Sequence, residues 1–180
     1  MCHAQVPGLK PSPKSKWTRI RRMLTLLAIA FGLLAEQTAS GTVITADEIA
    51  ATLKQSIANN VVDQPVKAAD VPGGHKASLA LLRRTRPETS ALIHKRVTEI
   101  YQITEGSGTI VTGGSLENAT DTDLTRLNAG PSQTGAHKGG ESRHVGPRDV
   151  IIVPAGTPHR FSQLDGPEIV YLVYRFEPRQ

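Results

Sequence analysis

Beyond Asn60 the apolar residues fall in short runs, each closed by Gly, Pro, Asn or Asp. Runs that are too short for helices and rich in Val, Ile, Leu, Tyr and Phe read as strands. The pattern predicts strands over 65–69, 76–84, 90–94, 99–104, 108–112, 124–128, 143–145, 150–154, 159–163 and 168–176. Turns are expected at Pro72-Gly73-Gly74, around Gly106, at Gly113-Gly114, Gly130-Pro131, Gly139-Gly140 and Gly146-Pro147, and at Asp165-Gly166-Pro167. Many short strands at close spacing predict an all-β sandwich or barrel. Before Asn60 the period changes. Thr45 and Glu48 form a capping box, and Ile49, Leu53 and Ile57 recur every four residues, so 45–59 reads as one amphipathic packing helix. Residues 113–141 fit neither pattern. They are polar, with Leu116, Leu124 and Leu127 the main large apolar side chains, and read as a mobile loop or a lid over the barrel mouth.

The charge changes the picture at one end only. The formal charge is +5, from 21 Lys and Arg against 16 Asp and Glu. Six of the basic residues and only Glu36 of the acidic ones lie in 1–40, which leaves the remainder balanced. A balanced domain has no surplus to drive phosphate binding, so no nucleic-acid partner is expected. The leader has a basic segment, then the uncharged run MLTLLAIAFGLLA, then small and polar residues. That is the layout of a secretory signal, and the apolar run is shorter than the ~20 residues of a membrane span. The expected organisation is a signal and cleavage region over 1–40, a helix and linker over 41–64, and a barrel over 65–180. The mature protein is expected to be secreted or periplasmic, with no stable membrane insertion; an uncleaved anchor is the alternative. Cys2, the one cysteine, would leave with the signal, so no disulfide or thiolate chemistry is available to the domain.

Two segments carry candidate chemistry. In VIIVPAGTPHRF, Pro154, Gly156 and Pro158 force a tight turn that fixes His159 at the start of a strand. In HKRVTEIYQITEG, Glu99, Tyr101 and Ile103 alternate on one strand face, a mixture suited to a partly polar cavity, and His94 can reach it across a turn. Two imidazoles and one carboxylate on neighbouring strands suit Fe, Mn, Ni or Zn and leave coordination positions open. Each residue also has a plainer reading. His159 could cap its turn, and His94 could serve as a hydrogen-bonding group. Glu99, if buried, could pair with Arg96 or Arg160 instead of a metal. Arg96 could be solvated surface or a clamp on a substrate carboxylate.

These segments resemble the cupin superfamily. Glu99 with Gly106 after six residues matches the second half of the first cupin motif, and Pro154, Gly156 and His159 match the second. The resemblance covers roughly 76–176. It implies a double-stranded β-helix, a jelly-roll-like barrel carrying here one N-terminal α-helix, often dimeric, with His94, Glu99 and His159 on metal-ligand positions. The first motif is incomplete: cupins have two histidines separated by one residue, whereas Arg96 stands two places after His94, and the segment before Glu99 is short. His75 or His144 could compensate. His75, Arg96, Tyr101 and Phe161 are the candidates for lining a substrate cavity, Tyr101 and Phe161 being better suited to the core.

The expected function is that of an exported single-domain cupin, acting as a homodimer. It would bind a divalent transition metal and act on a small organic molecule as an isomerase, lyase or dioxygenase. The alternative is a metal-free cupin that binds a small molecule without catalysis.

Overall fold

The computed structural model describes residues 40–178 and Met1; the remainder of the 1–40 leader expected to direct export lies outside the described residues. One helix and eleven strands make up the described residues: α1 (Ala46–Asn59), β1 (Asp63–Val71), β2 (His75–Arg84), β3 (Ala91–His94), β4 (Thr98–Glu105), β5 (Gly108–Thr112), β6 (Ser115–Leu124), β7 (Gly130–Lys138), β8 (Glu141–Val145), β9 (Val150–Val153), β10 (His159–Leu164) and β11 (Ile169–Glu177). They form two antiparallel sheets, in the orders β1-β2-β11-β4-β9 and β6-β7-β3-β10-β5-β8. This is a jelly-roll β-sandwich. Among the described residues no helix is long and apolar enough to cross a membrane.

Strand β2 shows why the barrel closes. Its run Leu79–Leu82 is apolar on both faces because both are covered. Ala80 and Leu82 point into the barrel with Tyr101, Ile103, Phe161, Tyr171 and Val173. Leu79 and Leu81 point outward, where with Val170 and Leu172 they meet Ile44, Ile49 and Leu53 from the helix side. The expected capping box is present: Thr45 Oγ1 accepts from the Glu48 N–H at 3.2 Å and Glu48 Oε2 accepts from the Thr45 N–H at 2.7 Å. The apolar stripe is shorter than its spacing suggests. Ile57 is half exposed, and Ser56 is the buried residue of that turn, its hydroxyl donating to the Val61 carbonyl at 2.6 Å.

Two expectations are corrected. Residues 113–141 are neither a loop nor a lid but a long hairpin, β6 against β7, which extends the six-stranded sheet beyond β3. As the sheet edge it is mostly exposed, so nothing selects for apolar alternation, and its polar sequence carries no such signal. The stretch 124–128 is not a strand. Thr125–Leu127 is a 3-10 turn ending at Asn128 in the left-handed region (φ 57°), and it joins β6 to β7.

The turn before His159 is built as its residues require. Gly156 has φ +78° and its N–H donates to the His94 carbonyl at 2.8 Å, tying the two histidine-bearing segments together. Gly106 is at φ +71°, packed so closely against β11 that a Cβ would lie 2.2 Å from the Glu168 carbonyl oxygen.

Candidate metal centre

Three strands bring His94, Glu99 and His159 together. His94 ends β3, Glu99 is the second residue of β4, and His159 opens β10. All three are buried, at 3%, 1% and 5% exposure. His94 Nε2 lies 3.3 Å from Glu99 Oε2, and His159 Nε2 lies 3.5 Å from the same oxygen. One ligand atom from each residue falls within 4.8 Å of the others. Separations of this size are those of neighbouring ligands ~2.0–2.2 Å from a shared centre.

The outer hydrogen bonds orient the donors. His159 Nδ1 lies 2.9 Å from the Thr157 carbonyl, which can only accept, so Nδ1 carries the hydrogen. His94 Nδ1 lies 2.9 Å from Ser132 Oγ, whose one hydrogen is drawn to the carbonyls of Gly130 and Ala129 at 3.1 and 3.3 Å, so here too Nδ1 donates. With Nδ1 occupied in both rings, Nε2 is the atom each ring turns toward the carboxylate oxygen, and it is bare wherever the ring is neutral. Three acceptors facing one point need a cation or a proton between them. The donor set thus fits a two-imidazole, one-carboxylate metal site.

Glu99 is held by more than the histidines. Tyr101 donates its hydroxyl hydrogen to Oε2 at 2.7 Å, and Arg175 Nε donates to Oε1 at 2.8 Å. Arg175 in turn donates to both oxygens of Asp63, at 3.2 and 2.6 Å, and to the Leu127 carbonyl at 2.6 Å. Burial pushes the Glu99 carboxyl upward; without a cation in the site, a proton held between His94 Nε2 and Oε2, with the Arg175 guanidinium, outweighs it and holds Glu99 well below the usual carboxylate range. Burial lowers His159 from 6.5 to about 4, which keeps its imidazole neutral at ordinary pH. Burial, and then the Glu99 charge, raise the Tyr101 hydroxyl well above its ordinary value, so it remains a donor.

The other sequence candidates are distributed differently. Tyr101 touches Glu99 and packs edge-on to His159, with ring centres 6.1 Å apart. Phe161 lies in the barrel core against Tyr171, at 5.2 Å. Arg96 and His75 share a separate cleft of about 510 Å³ with Thr98, Phe176 and Glu177, and Arg96 is paired with Glu177 at 2.8 Å. Neither of the arginines considered as partners of Glu99 is bonded to it, since Arg160 donates to the Glu88 carbonyl. The partner is Arg175, which sequence reasoning missed. It was findable: in IVYLVYRFE the inward parity of Tyr171 and Val173 runs on to position 175. Ser132 and Asp63 carried no such signal.

No protein-family model and no curated protein sequence matches the chain. Among solved structures, BH2720 from Bacillus halodurans is similar at 16% identity and a TM-score of 0.47, covering 79% of this chain and 86% of that one. Pac13 of Streptomyces, a nucleoside dehydratase, is similar at 14% identity and a TM-score of 0.37, covering 78% and 85%. TT1209 from Thermus thermophilus is similar at 17% identity and a TM-score of 0.37, covering 66% and 84%. The fold is cupin-like, and its buried His94–Glu99–His159 group could hold a metal ion.

Proposed function

We propose that this cupin-like protein binds a divalent transition metal (Fe, Mn, Ni or Zn) through His94, Glu99 and His159 and acts on a small organic molecule, by isomerase, lyase or dioxygenase chemistry. The observation that carries the reading is the convergence of two Nε2 atoms on Glu99 Oε2. A metal held there would polarise a substrate oxygen or activate water or dioxygen. The chain's own residues do the rest. Thr157 and Ser132 fix the tautomers and ring planes, and Arg175 keeps Glu99 ionised and aimed. Tyr101, with its proton held, steadies Oε2 and can donate to an oxygen that takes its place. Val153, Phe161 and Val173, each at most 1% exposed, keep bulk water from the surrounding core. The reading extends to an exported homodimer: the basic-then-apolar leader supports export, and Val150 and Ile152, 59% and 64% exposed on the edge strand β9, offer an apolar contact.

A second reading, a metal-free binding module, is favoured by one observation: Arg175 already compensates Glu99. Elemental analysis of the full-length protein, purified with Mn, Fe(II), Ni or Zn present, separates the two. Near-stoichiometric metal that is lost in His159→Ala supports the metal site. Absence of metal, with a Tm indifferent to chelator, supports the module.

A further inference from the structure

A cleft of about 710 Å³ opens beside the metal centre, lined by Arg84, Arg86, Glu88, Thr89, Leu92 and Thr134 among others. Its inner wall continues that of the site. Leu92 pairs with Thr134, and His94 pairs with Ser132 two residues along the same strands. His94 and Ser132 are bonded on the inner face, so strand alternation puts Leu92 and Thr134 on that face as well. Leu92 is also the cross-strand partner of His159.

The opposite wall is stitched to the same strand. Glu88 Oε2 accepts the Phe161 N–H at 2.8 Å, and the Glu88 N–H donates to the Phe161 carbonyl at 2.8 Å. Arg84 shares the inward parity of Ala80 and Leu82. Its Nε donates to the Tyr171 hydroxyl at 2.6 Å and its Nη1 pairs with Glu88 Oε1 at 2.9 Å. Tyr171 packs on Tyr101, ring centres 5.0 Å apart, and Tyr101 is bonded to Glu99. A fixed guanidinium therefore stands between the cleft and the centre. Arg86 is exposed over the same cleft, and among the described residues it has no ion-pair or hydrogen-bond partner.

We propose that this cleft is the recognition subsite of the site above and takes a small organic carboxylate. The carboxylate is held by Arg86 with Arg84, and the rest of the molecule passes Leu92 toward His94, Glu99 and His159. Guanidinium forks take carboxylate and phosphate in similar bidentate geometry. The charge of the cleft chooses between them: two arginines against Glu88 leave one positive charge, which matches a monoanion. Hydroxyls of Thr85, Thr89 and Ser90 line the same space and suit a hydroxy acid. The substrate class rests on the metal-site reading; the anion subsite itself does not.

The test is calorimetric titration of the full-length protein at low ionic strength with glycolate, glycerate and gluconate, beside glycerol and inorganic phosphate. At least one hydroxy acid should saturate, with glycerol and phosphate each weaker. Arg86→Gln, at an exposed position, should weaken the acid roughly tenfold or more without lowering Tm. The proposal is overturned if no acid saturates, if phosphate or glycerol binds as tightly, or if Arg86→Gln changes nothing. Titrating Glu99→Gln separates the two readings: acid binding that survives loss of metal keeps the subsite even if the metal-dependent reaction fails.

Discussion

Replacing Arg175 with methionine tests the electrostatics of the centre most severely. The methionine keeps much of the apolar stem and deletes the guanidinium. Arg175 is 2% exposed and serves Glu99, Asp63 and the Leu127 carbonyl at once. Its removal strands one carboxylate at 1% exposure, while the Asp63 side chain, at 17%, can be rehydrated. Breaking a buried ion pair from one side costs about 3–5 kcal/mol. A domain of this kind holds about 5–15 kcal/mol in total, so the variant should fold with a Tm lower by roughly 10–20 °C. A divalent cation at Glu99 supplies the missing positive charge. Urea unfolding in zinc should therefore recover about half of the loss measured in chelator, and zinc should bind the variant more tightly than the wild type, because Arg175 no longer competes for Glu99. An equal loss in zinc and in chelator would refute the reasoning, as would a loss below about 1 kcal/mol.

Four further outcomes follow from particular contacts. Burial holds His159 at about 4 against 6.5, so the unfolded chain takes up a proton that the folded chain refuses. Stability in chelator should fall as pH drops from about 6.5 to 4, by up to about 3 kcal/mol, and His159→Gln should flatten that segment of a urea titration series. Glu99, depressed in the folded state, adds a separate loss below about pH 4.3, which Glu99→Gln should remove. Gly106→Ala forces a Cβ to 2.2 Å from the Glu168 carbonyl at φ +71°, and calorimetry should show a loss above about 2 kcal/mol. Leu92→His puts a third imidazole on the face of His94 and opposite His159, and zinc affinity should rise roughly tenfold or more in a competition titration.

The fold and the three converging residues were legible because each left a local signature. Strand β2 is apolar on both faces, the Pro154–Pro158 turn is rigid, and Glu99 and Tyr101 alternate with the core. The β6–β7 hairpin was illegible because an exposed edge has no apolar face to betray its period. Arg96 lies beyond the end of β3, pairs with Glu177 and lines another cleft, whereas Leu92 shares the His94 face, two residues earlier. Arg175 was passed over because an arginine inside an apolar strand was read as part of a run, when its inward parity was the informative fact.

The most direct measurement is anomalous diffraction at the metal edge from crystals of the full-length protein grown with zinc or manganese. The expected result is one peak about 2.0–2.2 Å from His94 Nε2, His159 Nε2 and Glu99 Oε2. A map with no peak there, and with Glu99 bonded only to Arg175, Tyr101 and a protonated imidazole, would contradict the metal centre.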